Sequence, residues 1–231
     1  EILSGLVGSE MCIRDSLTPE KSVTEEIGLL YDDGEGFNAG LTLFNNNFKD
    51  KITRVACPLS QCTEGPNQFG ANPTTYMNVD KAVSRGVEAS MKLPLARDWS
   101  VTSSYTFTKS EQKSGQYAGQ PLNQLPKHLF TTTVNWQASD ALEAWARVNY
   151  RGKESQPITG PSSSSLVAPS YTFMDLGGSY AVNKKVSVYA GIYNLFDKQV
   201  GYDDYGYVED GRRYWPVSYT HLRAHETRED L

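Results

Sequence analysis

From Leu17 to Trp215 apolar and polar residues alternate with a period of two, the pattern of strands whose two faces meet different surroundings. The clearest run sets Trp99, Val101, Ser103, Tyr105 and Phe107 against Ser100, Thr102, Ser104, Thr106 and Thr108. Phe37, Ala39, Leu41 and Leu43 alternate with Asn38, Gly40 and Thr42, and Val87, Ala89, Met91 and Leu93 with Glu88, Ser90 and Lys92. Further on, Leu142, Ala144, Ala146, Val148 and Tyr150 oppose Glu143, Trp145, Arg147 and Asn149. Val186, Val188, Ala190 and Ile192 likewise oppose Ser187, Tyr189, Gly191 and Tyr193. The pattern predicts nine strands, near 23–32, 36–53, 75–94, 98–112, 128–138, 141–153, 171–182, 185–197 and 212–216.

The connections carry a second regularity. Tight turns at 32–36, 95–97, 139–140 and 183–184 are rich in turn formers, chiefly Asp, Gly, Asn and Ser. They alternate strictly with long links at 54–74, 113–127, 154–170 and 198–211. In an up-and-down meander this sorts every tight turn to one end of the sheet and every long loop to the other. Outer-membrane barrels have that asymmetry, with short periplasmic turns and long extracellular loops. Tyr31, Phe37, Trp99, Trp136 and Tyr180 all fall near tight turns, where amphipathic rings suit a membrane interface. The fold class expected is therefore all-β: a transmembrane antiparallel up-and-down β-barrel, incomplete, with about nine strands of a larger barrel.

Composition narrows the picture. The 231 residues are 39% hydrophobic and carry a formal charge of -5. No stretch approaches the roughly 18 consecutive apolar residues of a spanning helix, whereas a barrel strand shows lipid only every second residue. The acidic balance argues against nucleic acid as a partner, which calls for a basic surface. Residues 1–16 and 217–231 lack the alternation and resemble translated sequencing-adapter read-through, so 17–216 is taken as the barrel portion and the two flanks as foreign segments.

Several segments then resemble a known family. Leu17-Thr18-Pro19-Glu20-Lys21-Ser22 with Glu26-Ile27-Gly28-Leu29-Leu30-Tyr31, then Arg85-Gly86-Val87-Glu88, then Tyr105-Thr106-Phe107-Thr108 with Pro126-Lys127-His128 follow the motif order of TonB-dependent outer-membrane receptors. Asn194-Leu195-Phe196-Asp197-Lys198 resembles the family's penultimate-strand motif, and Gly211-Arg212-Arg213-Tyr214-Trp215 the start of its last strand. The details look closest to the catecholate-siderophore group, the colicin I and ferric enterobactin receptors. The resemblance implies a bacterial outer-membrane location and the C-terminal part of a receptor barrel. It also implies binding of a ferric siderophore at the extracellular loops, and import driven by a TonB complex that acts through an N-terminal region absent here. Outer-membrane lipid and lipopolysaccharide are the remaining partners implied.

An anionic iron catecholate calls for cations and aromatic faces at the mouth. The candidates are Lys113, Tyr117, Lys127, Arg151, Lys153, Tyr202, Tyr205, Tyr207, Arg212 and Arg213, each of which can equally be a solvated loop residue. Cys57 and Cys62 lie in the longest link, where a disulfide would close a small ring worth roughly 2 kcal/mol in an oxidising compartment. No metal site, cofactor or catalytic residue is expected, since outside the flanks a single histidine, His128, remains and no nucleophile motif appears. Two other readings stay beside the receptor: a passive porin-like channel and a soluble all-β binding module.

Overall fold

The computed structural model describes residues 17–56, 74–115, 118–155 and 167–220. Nine strands form one sheet: β1 (Lys21–Asp32), β2 (Asn38–Ala56), β3 (Thr74–Ala96), β4 (Trp99–Gln112), β5 (His128–Gln137), β6 (Leu142–Arg151), β9 (Tyr171–Asn183), β10 (Val186–Tyr193) and β11 (Arg213–Thr220). β7 (Glu154–Ser155) and β8 (Val167–Ala168) make a separate small hairpin between β6 and β9, and α1 (Tyr202–Tyr205) lies between β10 and β11. The strand order in the large sheet is sequential, β1-β2-β3-β4-β5-β6-β9-β10-β11, and every pairing is antiparallel. β1 and β11 are edges that do not pair with each other, so the sheet is an open wall rather than a closed barrel.

Register decides what each face holds, because residues directly opposite in an antiparallel ladder point to the same side. Leu29, Leu41, Ala89, Tyr105, Phe130 and Tyr150 stand in one such row across six strands, and Val101, Val134, Ala146, Leu176 and Ile192 in another. The opposite face reads Lys92, Thr102, Thr133, Arg147 and Asp175 along one row. The alternation in sequence thus becomes an apolar outward face and a polar inward face. Among the described residues no second layer covers the outward one: Leu41 is 45% and Val188 39% exposed, and neither belongs to the buried apolar set.

The turn end carries the aromatics where the sequence puts them. Trp99 and Trp136 pair in register and stack at 5.3 Å, Tyr31 packs on Phe37 at 5.8 Å, and Tyr180 stands opposite Leu142. One glycine inside the sheet has a steric reason. A Cβ on Gly86, the glycine of the Arg-Gly-Val-Glu motif, would run into the Phe107 carbonyl oxygen and the Phe44 ring.

Two strand ends and one link depart most from the sequence reading. β10 stops at Tyr193 rather than near 197, because Asn194 takes a left-handed φ of 52° that leaves the ladder. The link 198–211 contains the single turn α1, too short to leave a helical period. β11 runs through Pro216 to Thr220 although proline lacks the N–H of a ladder residue; the strand is an edge, where that donor is dispensable. Val217–Thr220, which the sequence reading separates from the barrel, pair with Val186–Tyr189.

Candidate functional site: the loop end of the wall

At the end opposite the tight turns the long links fold onto one another. Gln124 N–H donates to Ser155 O (2.8 Å) and Lys127 N–H to Lys153 O (3.4 Å), which fastens the β4–β5 link to the start of the β6–β9 link. Ala168, Tyr171, Val200 and Tyr205 form a buried apolar cluster with Phe173 and Tyr207 packed against it. This small core joins β8, the start of β9 and the β10–β11 link, and Tyr205 is only 2% exposed within it. Tyr205 meets Tyr171 edge-on at 5.3 Å.

Charge enters this core in compensated form. Arg151 Nη2 contacts Glu154 Oε2 at 2.6 Å, with the Glu154 side chain buried and that of Arg151 partly so. The Arg151 guanidinium sits over the Tyr207 ring at 5.9 Å, and Tyr207 OH donates to Tyr171 OH, which donates to Glu209 Oε1, each at 3.4 Å. Burial pushes the Tyr207 phenol above its usual range, and the nearby Glu154 carboxylate adds to the shift. Beside the cluster a cavity of about 420 Å³ is lined by Ser104, Thr106, Thr131, Asn149, Arg151 and Tyr171, among others.

A second network lies one step deeper on the inward face. Asp175, almost fully buried, accepts from Asn149 Nδ2 (3.0 Å) and from Asn194 N–H (2.9 Å), while Asn149 Oδ1 accepts from Thr131 (3.1 Å). Asn194 is itself a clamp. Its Nδ2 donates to Lys198 O (3.0 Å) and Asp210 O (3.1 Å), and its Oδ1 accepts from Lys198 N–H (2.8 Å). Asp197 Oδ1 accepts from Arg212 N–H (2.8 Å). The Asn-Leu-Phe-Asp-Lys segment therefore closes the two ends of the β10–β11 link and ties them to the sheet.

The ten ligand candidates divide by position. Arg151, Tyr205 and Tyr207 come together in the buried cluster; Tyr205 has no open face there, and Arg151 is spoken for by Glu154. Lys127 and Lys153 are exposed neighbours through their backbones, and Tyr202 and Arg212 are exposed on the β10–β11 link. Arg213 pairs with Asp210 (2.9 Å) and covers Tyr193 at 5.6 Å on the inward face. Lys113 pairs with Glu111 at 2.7 Å, away from the others. Tyr117 and the Cys57–Cys62 pairing lie outside the described residues. Sequence reasoning passed over Glu154, Tyr171 and Asp175, and took Asn194 only as part of a motif. For Asp175 a signal existed, a lone carboxylate in the apolar run Tyr171-Thr172-Phe173-Met174-Asp175-Leu176. Glu154 offered none, since its importance depends on a loop folding over it.

Known proteins share this architecture. Residues 9–195 match the family model "TonB dependent receptor-like, beta-barrel". The chain is 55% identical over 199 residues to the iron-regulated outer membrane virulence protein of Vibrio cholerae, covering 86% of this chain and 30% of that protein. It is 34% identical to the ferric enterobactin receptor of Pseudomonas aeruginosa, over 91% of this chain and 30% of that protein. A crystal structure of a mutant ferric enterobactin receptor from Pseudomonas aeruginosa in complex with enterobactin superposes with a TM-score of 0.68 at 28% identity, covering 87% of this chain and 31% of that one. The chain thus spans about 30% of the length of the curated relatives it matches.

Proposed function

The chain belongs to the TonB-dependent receptor-like β-barrel family, a family of outer-membrane transport receptors, and from that premise we propose that it forms part of a receptor for ferric siderophores of the catecholate class. Residues 17–216 supply the C-terminal wall of the barrel, the outward face sits in outer-membrane lipid, and the interlocked links form one side of the extracellular mouth. Import of the bound iron complex is driven through TonB by parts of the receptor outside this chain.

The observation that carries the reading is the division of labour at the mouth. Arg151, Glu154, Tyr171, Tyr205 and Tyr207 are used up in holding the links together, whereas Lys127, Lys153 and Arg212 remain exposed and form no ion pair with a described residue. Three uncommitted cations with the exposed ring of Tyr202 suit a ligand that is both anionic and aromatic. A passive channel has no need of a mouth fastened in this way, and the relatives that share the fold are receptors.

The test is binding of ferric enterobactin to the receptor carrying this chain, in outer membranes. The K127Q/K153Q/R212Q variant is expected to bind on the order of tenfold or more weakly, from the loss of charge-assisted contacts. Unchanged affinity in that variant overturns the assignment of these side chains.

A further inference from the structure

One row of the inward face gives an arginine a choice of two neighbours. Arg147 on β6 stands directly opposite Thr133 on β5 and directly opposite Asp175 on β9. It bonds to the hydroxyl and not to the carboxylate. Arg147 Nε donates to Thr133 Oγ1 at 3.2 Å, and the guanidinium lies over the Trp145 ring at 5.1 Å. Neither Arg147 nor Asp175 forms an ion pair with a described residue. Opposite charges facing each other across a ladder attract, and a carboxylate that is only 6% exposed, as Asp175 is, has most to gain from a cation. The pair is nevertheless held apart.

Both members of the pair have other partners. Asp175 Oδ2 accepts from Asn149 Nδ2 (3.0 Å) and Asp175 Oδ1 from Asn194 N–H (2.9 Å). On the other side Thr133 draws Arg147 toward β5 while the Trp145 indole supports the guanidinium. Gly177 stands opposite Trp145 on β9, and a Cβ there would run into the indole, so the glycine is what lets the ring lie against that strand. A neutral hydroxyl is a weaker partner for a guanidinium than a carboxylate, so the arrangement leaves attraction between Arg147 and Asp175 unused. Asp175 is also the anchor of the Asn194 clamp, whose side chain holds Lys198 and Asp210. Leu195 N–H, donating to Met174 O at 2.7 Å, is the neighbouring tie to β9. The direction in which Arg147 points therefore decides whether Asp175 is free to hold Asn194.

We propose that Arg147 is a latch with two positions. Turned to Thr133, it leaves Asp175 to fasten the β10–β11 link. Turned to Asp175, it takes the carboxylate away from Asn194 N–H, and the link loosens at its base. Arg147 thus acts on the mouth through Asp175, as a positioning residue on the inward wall. A bistable element needs two discrete arrangements separated by a small energy gap; strands about 4.8 Å away on either side supply the two partners. The inference goes beyond the receptor reading and does not depend on which iron complex the mouth takes.

The experiment follows amide hydrogen exchange of residues 194–212 in the receptor carrying this chain, purified without ligand. Arg147→Met removes the competitor for Asp175, so exchange there is expected to slow several-fold. An arginine that merely braced the sheet would give the opposite sign, and equal or faster exchange in R147M overturns the proposal. Thr133→Val removes the hydroxyl that holds Arg147 away. It is expected to speed exchange on the order of tenfold, the worth of one hydrogen bond to a charged group. Thr133→Ser keeps the hydroxyl and should match wild type. In T133V/R147M exchange should return to the level of R147M, because Thr133 acts on the link only through Arg147. Exchange in the double variant as fast as in T133V, or no change in T133V itself, overturns the latch. The sign of the R147M effect decides even where T133V does not assemble. With no ligand present, failure here leaves the receptor reading untouched, and a failure to bind ferric enterobactin leaves the latch untouched in turn.

Discussion

The two ends of the wall close their chains by different physics. At the turn end three of the four connections carry their own side-chain bonds: Asp33 Oδ1 accepts from Glu35 N–H and Phe37 N–H, Asn183 Oδ1 from Lys185 N–H and Val186 N–H, and Ser139 Oγ from Ala141 N–H and Leu142 N–H. All six partners lie within four residues of the acceptor. At the loop end the bonds that matter join distant segments, Tyr171 to Glu209, Asn194 to Asp175 and Asp210, Gln124 to Ser155. Self-contained turns hold their shape whatever happens elsewhere, whereas interlocked links stand or fall together. A ligand meeting the mouth therefore meets one cooperative unit, and damage to any fastening spreads to its neighbours.

Asn194→Ala should show the contrast at its greatest. It removes a clamp that makes three side-chain hydrogen bonds and replaces an asparagine at φ 52° by a residue that disfavours that conformation. We expect about 3 kcal/mol of local destabilisation, read as rapid proteolysis within 198–212 and loss of ferric enterobactin binding, while the strands stay protected from hydrogen exchange. Uniform loss of protection across the sheet would instead erase the distinction between the two ends. Glu154→Ala follows, at about 2 kcal/mol, since Arg151 is left partly buried without its carboxylate; exchange should rise in both the β6–β9 and β10–β11 links. Asn183→Ala at the turn end should cost about 1 kcal/mol, speed exchange only near 183–186 and leave binding unchanged.

The smallest expected effect is a pH dependence. The Tyr207 phenol has a folded-state pKa raised above its ordinary value of 10.0, so the folded state holds that proton more tightly than the unfolded chain. Its contribution is fully present below about pH 10 and is lost as pH rises toward the folded value. Protection of the β10–β11 link should fall above that point, and Tyr207→Phe should weaken this alkaline dependence and leave the part that comes from Tyr171, whose phenol burial also raises.

The same contrast explains what the sequence made legible. Strand alternation and turn chemistry are local, so the places of the nine strands, the sorting of short and long connections and the turn-end aromatics follow directly from Trp99, Asp33, Asn183 and their neighbours; β10 ends earlier and β11 later than the apolar pattern predicts. Side-chain roles at the mouth depend on partners tens of residues away. Tyr205 reads as an available ring in sequence and proves to be core, because Tyr171 and Ala168 arrive from another link. Asn194 reads as part of a motif, and only its bonds to Lys198 and Asp210 give the motif a mechanical purpose.

The stacked pair at the turn rim has an optical consequence. Trp99 and Trp136 stand on the outward face, whereas Trp145 and Trp215 fall on the inward one. Within this chain, half of the indole fluorophores therefore report bilayer depth: brominated acyl chains should quench the emission of Trp99 and Trp136 and spare that of the other two, giving a label-free gauge of insertion.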